Sequence, residues 1–507
     1  MRNDRSFTAS VRQEWISFRS RGRFVALAAV VTLTVLLGLV YAFVNRSTCS
    51  EGNVVVTCAS DPVGPQGEAV TDHFSFGHRS LTGDGVLTVR MTSMTGIITY
   101  PPPRHDKIVP GLVPWAKAGI MIKDGLTPGS RYAAIMVTGH NGVRMQSDYV
   151  HDTPGSPGGV SAQAPRWLRL ARSGDSITGF ESADGTHWTQ VATAGLTGLP
   201  KTVQIGLFAT SPGDLTLEPT GLGASRSKVR FTQATATFDN VTLTGAAGEA
   251  WRGDVVGGGD RTEWERDHQA PGLVTANGLF TVTGSGDVGP MGTQHGYDIE
   301  DTLIGLAIAL IIVLIVAARF VARPATAPLD GRALAAKIVV LGGATFSTGL
   351  VTVGVALPAG AAALRAFGSY VRPVSTLTEI RIIVCLAGVI AVAAVLAAAL
   401  GALFRRAWPA SLIANAAIVV PAVLATSPLL PDTVAAWLLR LTPAAGFAVE
   451  QSRPEFAQVI GHYTPSVGYF PLPGWAGFAV LGGYTAALLG FAFLRLRRRS
   501  SPEPRWR

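Results

Sequence analysis

The sequence predicts an α-helical membrane protein of six transmembrane helices, into which one all-β sandwich domain is inserted. Hydrophobic residues make up 48% of the 507 residues and charged residues only 15%, whereas soluble domains carry about 25% charged residues. Six stretches are apolar over the length of about 20 residues that a membrane-crossing helix needs. The region 45–301 is instead rich in Gly, Thr, Ser and Asp, a composition typical of strands and turns.

The first element, residues 1–23, is predicted to be an amphipathic helix on the inner surface of the membrane. Its bulky apolar residues recur at helical spacing on one face, and its arginines lie on the other faces. Such a helix would lie along the inner leaflet with its arginines near anionic headgroups. A disordered basic tail is the alternative. The apolar face would consist of Phe7, Val11, Trp15 and Phe18.

Residues 24–44 form the first predicted span. Basic residues precede it, as they precede a signal peptide, but the apolar stretch is too long and no small-residue cleavage site follows it. We therefore interpret it as an anchor that stays in the membrane. The rest of the membrane domain is residues 302–507, which end in a basic cytoplasmic tail. Its five predicted spans are 303–321, 338–357, 382–404, 411–430 and 475–494.

Lysine and arginine residues in the short loops indicate which side of the membrane each loop faces, because they are concentrated on the cytoplasmic side. They cluster before the first span, between the second and third, between the fourth and fifth, and after the last. These four segments share one side of a six-span protein. The sequence therefore predicts cytoplasmic termini and an extracytoplasmic region 45–301. The loop 358–381 holds three arginines against this rule.

The predicted spans are rich in small residues and poor in charged ones. No Asp, Glu, Lys or His lies in the middle of a span, and proton- or sodium-driven carriers usually need such a group. Asn415 is the clearest polar side chain within a span, and we expect it to bond to a neighbouring helix. The small residues that favour close helix approach are Gly342, Gly343, Ser347 and Gly349 in the third span and Ala387, Gly388 and Ala391 in the fourth.

A β pattern occupies residues 68–245. Short runs that alternate or are rich in β-branched residues are separated by turn pairs such as Asn141-Gly142 and Asp184-Gly185. Many short strands with regular turns favour an antiparallel sandwich. Residues 246–301 are expected to form a strand-containing stalk that leads to the second span. The clearest strand patterns lie at 85–94, 131–137, 202–208 and 229–243.

The chain has three cysteines. Cys49 and Cys58 follow the first span closely, and Cys385 lies in a predicted span. If residues 45–301 are outside the cytoplasm, a Cys49–Cys58 disulfide is expected. Two free thiols are the alternative. A metal pair is disfavoured because no matching His or Cys pair is nearby.

Six motifs follow one another through the β region. They are Trp-Ala-Lys-Ala-Gly-Ile-Met-Ile-Lys-Asp at 115–124, Tyr-Ala-Ala-Ile-Met-Val at 132–137, Asn-Gly-Val-Arg-Met-Gln at 141–146, Trp-Leu-Arg-Leu-Ala-Arg at 167–172, Ser-Ala-Asp-Gly-Thr-His-Trp at 182–188 and Phe-Asp-Asn-Val-Thr-Leu at 238–243. In this order they resemble a concanavalin-A-like, laminin-G-like jelly-roll module. The resemblance implies a jelly-roll fold, whose members include lectins, glycosidases and adhesion modules.

Candidate residues for glycan binding or catalysis in this region each have a structural alternative. Related glycosidases carry Glu-x-Asp-x-x-Glu on one strand, which this sequence lacks, and Glu181 and Asp184 bracket a hairpin turn. Catalysis is therefore not expected. Asp239-Asn240 is compatible with a calcium ligand or with a turn. Two roles are open for three tryptophans, stacking on sugar rings and packing in the core, and packing in the core is favoured. They are Trp115, Trp167 and Trp188.

The membrane part carries three further motifs. They are Ala-Thr-Ala-Pro-Leu-Asp-Gly-Arg-Ala-Leu-Ala-Ala-Lys at 325–337, Trp-Leu-Leu-Arg-Leu-Thr-Pro-Ala-Ala-Gly-Phe at 437–447 and Tyr-Thr-Pro-Ser-Val-Gly-Tyr-Phe-Pro-Leu-Pro at 463–473. With the order of spans, they resemble an ABC transporter permease subunit of the type-2 exporter class. Bacterial members more often carry Glu-Tyr-Arg-Arg-Gly before the first motif, where this chain has Ala-Ala-Arg-Phe-Val-Ala-Arg at 317–323.

The resemblance implies a multi-pass permease of the bacterial cell membrane that pairs with itself or a second permease. A separate cytoplasmic ATPase would bind ATP, and this chain would bind no cofactor. It lacks a Gly-x-x-x-x-Gly-Lys-Ser/Thr loop, so we expect a transporter subunit rather than an enzyme. Some residues of this chain would pass the motion of the ATPase to the spans. For the basic ones among them, the alternative is the ordinary excess of positive charge on the cytoplasmic side. The candidate coupling residues are Trp15, Arg19, Arg323, Arg332 and Lys337.

A non-transporting, membrane-anchored lectin or envelope sensor is the alternative function, with envelope glycans as its partner. An anchored lectin would need one span, and the other five favour transport. The net charge of +9 does not indicate nucleic-acid binding, because the basic residues cluster at the ends of the apolar runs instead of forming one stripe.

Overall fold

The helices and strands of the chain occupy separate parts of the sequence. The computed structural model describes residues 7–51, 54–56, 61–100, 107–221, 224–245, 249–257, 272–292, 296–322, 329–427, 429–459 and 463–500. Within them, helices lie before residue 45 and after residue 298, and strands lie between. The predicted combination of helices with antiparallel β-sheets is therefore confirmed.

Five of the described helices are long and apolar enough to cross a membrane. They are α2 (Arg21–Val44), α4 (Gly331–Ala366), α5 (Thr376–Phe404), α6 (Ala407–Thr426) and α8 (Gly474–Ser500). A sixth, α3, is apolar but has only 17 residues. Three 3-10 segments accompany them, at Ile299–Leu303, Pro443–Glu450 and Pro465–Val467. The helices are α1 Phe7–Phe18, α2 Arg21–Val44, α3 Leu306–Ala322, α4 Gly331–Ala366, α5 Thr376–Phe404, α6 Ala407–Thr426, α7 Asp432–Leu441 and α8 Gly474–Ser500.

Small residues allow α4 and α5 to approach closely, as predicted. A Cβ atom on Gly349 would stand 2.8 Å from the Cα atom of Ala387. Gly388 faces Phe478 of α8. A Cβ atom on Gly343 would meet nothing within 4 Å among the described residues. Close packing therefore depends on particular glycines and not on the whole stripe.

Asn415 does not bond to a neighbouring helix. Its Nδ2 atom donates to the carbonyl oxygen of Ser411 at 2.8 Å, one turn earlier in α6. Its Oδ1 atom is buried and has no hydrogen-bond partner in the described part of the chain. The prediction of an interhelical bond was wrong, because the helix backbone supplies an acceptor within reach of the amide.

The helix ends define two sides of the membrane domain. On the sandwich side, the end of α2 meets the end of α4, where the backbone N–H of Ser47 donates to Phe367 at 3.1 Å. On the opposite side, Arg495 of α8 donates to the carbonyl oxygen of Leu403 at the end of α5. The terms sandwich side and opposite side are used below for these two ends.

The strands form two large sheets and two small ones. They are β1 Cys49–Glu51, β2 Val54–Val56, β3 Val70–Asp72, β4 Phe74–Thr82, β5 Gly85–Thr99, β6 Ile108–Pro110, β7 Lys117–Lys123, β8 Tyr132–Thr138, β9 Val143–Ser147, β10 His151–Pro154, β11 Arg166–Ser173, β12 Ser176–Ser182, β13 Thr189–Gly195, β14 Thr202–Thr210, β15 Asp214–Gly221, β16 Ala224–Thr244, β17 Arg252–Val256, β18 Leu273–Ala276, β19 Leu279–Gly284 and β20 Val288–Pro290. The four clearest strand predictions are confirmed as β5, β8, β14 and β16.

The two large sheets pack face to face. One has the order β10-β9-β8-β7-β14-β4-β17, and the other β13-β12-β11-β5-β16-β19-β18, with β15 beside β16 and β6 beside β5. Every pairing within them is antiparallel. Ile120 and Leu207 of the first sheet share a hydrophobic core with Leu87, Leu168 and Phe238 of the second.

The described strands between residues 252 and 284 belong to the large sheets and do not form a stalk. β17 extends the seven-stranded sheet by pairing with β4, and β19 extends the nine-stranded sheet by pairing with β16. The predicted boundary at residue 245 was wrong because short strands at sheet edges carry little periodicity. Asp239-Asn240 is likewise not a turn between strands but a bulge inside β16, where Asn240 has φ +46°.

The seven-stranded sheet is buried on both faces at its centre, since every residue of β7 and β8 is buried. Its second face includes the buried ammonium group of Lys123, which donates to Asp72 at 2.8 Å. Tyr149 also donates to Asp72, at 2.7 Å. Continuous apolar runs such as 118–122 are typical of strands covered on both sides.

Candidate functional site

Both connections between the sandwich and the membrane domain are bonded to the loop after α4. The backbone N–H of Ser47 donates to Phe367 at 3.1 Å, and that of Tyr297 donates to Tyr370 at 2.9 Å. The backbone N–H of Arg372 donates in turn to Tyr297 at 3.0 Å. Movement of α4 would therefore reach the sandwich at both of its attachments.

A group of buried and half-buried charges lies beside these connections, and we call it the ionic cluster. Asp298 is at its centre, because Arg372 donates to one carboxylate oxygen at 2.6 Å and Arg453 pairs with the other. The backbone N–H of Asp298 donates to Asp301 at 2.8 Å, and that of Ser452 donates to Glu300 at 2.8 Å. The members are Asp298, Glu300, Asp301, Arg372, Glu450 and Arg453.

The carboxyl groups of the ionic cluster hold protons more tightly than ordinary carboxyl groups. Burial, aided by Asp298, raises the pKa of Glu300 to about 8 and that of Asp301 to about 6. Burial, aided by Glu300 and Asp301, raises the pKa of Glu450 to about 8. Removing a carboxylate from water disfavours its charged form, and neighbouring negative charges add to this effect. The cluster therefore changes its charge near neutral pH.

A cavity of about 800 Å³ adjoins the ionic cluster on the sandwich side. It lies between α7, the first residues of α5 and α8, and the segment that joins α7 to α8. Three arginines line it, Arg381, Arg440 and Arg453, of which the last also belongs to the cluster. Aromatic side chains, including Trp437 and Phe470, form other parts of the wall. We call this space the arginine cavity.

Sequence reasoning missed both the ionic cluster and the arginine cavity. Their charges come from segments that are far apart in the chain, near residues 298, 372, 381 and 453. One local signal was available, because three carboxylates between residues 298 and 301 immediately precede an apolar run. Charged side chains at such a position need partners when they are buried.

A second site lies on the opposite side, where α1 packs against α4 and the end of α3. The ring of Phe18 meets that of Phe320 edge to face, with centroids 5.2 Å apart. The Nζ atom of Lys337 donates to Glu14 at 2.7 Å and lies 4.4 Å from the centroid of Phe320. The side chains of Lys337 and Glu14 are only 9% and 17% exposed, so this ion pair is weakly screened by solvent.

The structure brings together some of the predicted coupling residues and not others. Trp15 stacks on Phe18 at 6.1 Å, and Lys337 holds the same helix through Glu14. Arg332 lies in the first turn of α4, and Arg19 is exposed beyond the end of α1. Arg323 lies outside the described residues. Glu14 was not among the predicted residues, although its carboxylate is the partner of Lys337.

The three tryptophans suggested for sugar stacking are half-buried, and each ring faces an arginine. The guanidinium of Arg169 lies 3.8 Å from the ring centroid of Trp188, which donates its indole N–H to Gly185 at 3.1 Å. Trp167 and Trp188 lie at the outer surface of the nine-stranded sheet, and Trp115 lies beside the other sheet. The prediction of core packing was wrong for all three. The arginine distances are 5.5 Å for Trp115 and 5.9 Å for Trp167.

The remaining sequence candidates serve local structure. Asp184 accepts from the backbone N–H groups of Thr186 and His187 at 2.8 Å, which confirms its role in the turn. Both carboxylate oxygens of Asp239 accept from Arg90, at 2.7 and 2.5 Å. Within the described ranges, no three His, Cys, Asp or Glu residues come together as metal ligands.

The predicted Cys49–Cys58 disulfide involves a residue outside the described part of the chain. Cys49 begins β1, which forms a small hairpin with β2, and Cys58 lies beyond that hairpin among the residues that are not described. The third cysteine, Cys385, is a free thiol in α5. The disulfide therefore stays a prediction.

No family model matches the chain, and no curated protein matches it significantly. A functionally unknown protein from Saccharomyces cerevisiae is 18% identical, with 40% of this chain and 93% of that chain covered and a TM-score of 0.22. Scytalido-glutamic peptidase is 9% identical, with 42% of this chain and 98% of that chain covered and a TM-score of 0.23. The alginate lyase from Klebsiella pneumoniae is 12% identical, with 33% of this chain and 62% of that chain covered and a TM-score of 0.17. Scores this low carry no argument about fold or activity.

Proposed function

We propose that the chain is the membrane-spanning permease subunit of an ATP-driven exporter that works with a separate cytoplasmic ATPase. The observation that carries the proposal is the attachment of α1 to α4 by the Glu14–Lys337 ion pair. α1 is an amphipathic helix outside the membrane spans, and only two residues separate it from α2. A force applied to α1 from the cytoplasm would reach α2 through the chain and α4 through the ion pair.

The membrane topology belongs to the same proposal. α3 has 17 residues, which is within the range of about 17–25 residues for a membrane-crossing helix, so we count six spans. The basic residues at the chain ends then face the cytoplasm of a bacterial cell, and the sandwich faces outwards. We assign the sandwich to the concanavalin-A-like jelly rolls on the basis of its two antiparallel sheets and its sequence motifs.

α4 offers a path from the cytoplasmic site to the outer domain. Its 36 residues span about 54 Å at about 1.5 Å per residue, more than the thickness of a bilayer core of about 30 Å. One end of α4 is held by α1, and the loop after its other end is bonded to both connections of the sandwich. ATP binding on the partner would thus change the outer domain through one continuous helix.

The experiment is to co-express the chain with a Walker-motif ATPase encoded beside it, purify the pair and compare ATP hydrolysis with and without this subunit. Lys337→Glu places two carboxylates in contact and should release α1 from α4. We expect it to reduce the stimulation of hydrolysis by about 5-fold or more, which is the range of a coupling free energy of at least about 1 kcal/mol. The double variant Glu14→Lys/Lys337→Glu restores the pair and should restore the stimulation.

Arg12→Glu is the matched control, because it makes the same charge change on an exposed residue of α1. It should leave the stimulation intact. If no complex forms, or if Lys337→Glu stimulates hydrolysis as well as the unaltered chain does, the proposal is contradicted. Size-exclusion chromatography of each variant separates a loss of coupling from a loss of folding.

A further inference from the structure

The arginine cavity lies at the depth of the lipid headgroups on the sandwich side. Trp437 in its wall is 57% exposed, and Trp475, next to the lining residue Gly474, is 77% exposed. On the opposite side, Trp408 at the start of α6 is 70% exposed. Exposed tryptophans at both ends of membrane helices mark the two interfaces between lipid and water. The cavity is therefore open to lipid headgroups.

Two guanidinium groups in the wall have no acidic partner among the described residues. Neither Arg381 nor Arg440 has a carboxylate within ion-pair distance in the described ranges. Arg381 donates to the carbonyl oxygen of Gln451 at 2.7 Å, and Arg440 lies over the ring of Trp437 at 5.2 Å.

The acidic residues of the wall are already bound by hydroxyl groups. Ser466 donates to Asp432 at 2.7 Å, and Tyr469 donates to Glu455 at 3.2 Å. Neither carboxylate lies within ion-pair distance of Arg381 or Arg440 in the described ranges, so these two guanidinium groups can still donate to an anion. Guanidinium groups match phosphate oxygens with paired N–H donors.

Apolar side chains continue from the cavity towards the lipid. Val434 and Leu441 of α7 are exposed beside Trp437, and Phe470 and Leu472 form part of the cavity wall. A soluble anion would use only the arginines. An amphiphile would place its charged group on the arginines and its chains along α7, so that both kinds of surface are covered.

From these observations we infer that the arginine cavity binds the phosphate headgroup of an anionic lipid from the leaflet on the sandwich side. Arg381 and Arg440 hold the phosphate oxygens. The acyl chains lie along the exposed face of α7. The inference concerns binding to this chain alone and does not depend on an ATPase partner.

The test is a titration of the purified full-length protein, in neutral detergent, with three probes. These are a short-chain phosphatidylglycerol, the matching phosphatidylcholine and inorganic phosphate. Phosphatidylglycerol should bind at least about tenfold more tightly than either of the others, which is about 1.4 kcal/mol or more. Equal affinity for phosphatidylcholine would overturn the inference that the site selects anions. Equal affinity for inorganic phosphate would overturn the inference of an amphiphile.

The double variant Arg381→Gln/Arg440→Gln should weaken phosphatidylglycerol binding about tenfold or more. Arg365→Gln is the matched control, because Arg365 is exposed in the last turn of α4 on the same side and does not line the cavity. It should bind as the unaltered protein does. If the double variant keeps full affinity, the cavity is not the site. The comparison of the three probes tests the inference on the unaltered protein even if the variant folds poorly.

Discussion

Glu450 and Glu300 lie in a setting where a carboxylate is costly. Their pKa values, raised by burial from 4.5 to about 8, mean that the folded protein binds protons that the unfolded chain has released. Between those two values the folded state binds more protons than the unfolded state, so its stability falls as the pH rises. The stability that these protonated carboxyl groups contribute is fully present below pH 4.5. It is lost as the pH rises to about 8.

We therefore predict that the free energy of unfolding falls as the pH rises from about 5 to about 9, by up to about 1.4 kcal/mol per pH unit for each such carboxylate, and that the melting temperature falls with it. Glu450→Gln should flatten this dependence and raise the melting temperature at the alkaline end. The measurement is thermal unfolding in detergent across the pH series. Glu379→Gln, the same change in the first turn of α5, should leave the slope as it is. A slope that Glu450→Gln does not alter would contradict the assignment.

At the scale of residues, the sequence indicates local roles better than long-range partners. The turn function of Asp184 could be predicted because its acceptors and donors lie within three residues. The partners of Asp298 are Arg372 and Arg453, which lie 74 and 155 positions away, and no periodicity connects them. Trp188 was assigned to the core for the same reason, since its arginine partner comes from another strand.

Among the elements, α4 and α5 approach each other closely at Gly349. A side chain at Gly349 would collide with the backbone of Ala387 in α5, while one at Gly343 on the same helix would meet open space. Both positions have helical backbone, so a valine at either has the same intrinsic helix propensity. The difference between the two variants therefore measures packing alone.

We predict that Gly349→Val lowers stability by about 1–3 kcal/mol, the usual cost of inserting atoms into a packed core. Gly343→Val should change it by no more than about 0.5 kcal/mol. Thermal unfolding of the two variants in one detergent gives the comparison. Equal melting temperatures for the two variants would show that α4 and α5 do not meet at Gly349.

Hydropathy predicted the long helices well and the short ones poorly. Every predicted span contains most of a described helix, because about 20 apolar residues leave few alternatives. α7 has 10 residues and one apolar face, so no span-length window detects it, although it forms a wall of the arginine cavity. The strands β17 to β19 were taken for a stalk, since their register is decided by the sheet edges that they join.

For the whole molecule, the side on which the sandwich lies is the prediction with the widest consequences. The arginines at the chain ends favour a cytoplasmic location for both termini, and an even number of spans places α1 and the end of α8 on one side. The contact of Arg495 with Leu403 places the end of α8 beside the end of α5 on that side. The arginine cavity would then face the outer leaflet, and the Glu14–Lys337 pair would face an ATPase.

A membrane-impermeant maleimide tests this arrangement in intact cells, in a chain whose native cysteines are replaced by serine. Ser173 ends β11 in the sandwich and Ser17 lies in α1, and both side chains are exposed. Ser173→Cys should be labelled from outside, and Ser17→Cys only after the cells are permeabilised. Equal labelling of both variants in permeabilised cells is the control for reactivity. The reverse pattern would place the sandwich in the cytoplasm and α1 outside the cell, where a cytoplasmic ATPase could not reach it. The ion pair of Lys337 would then have no part in coupling.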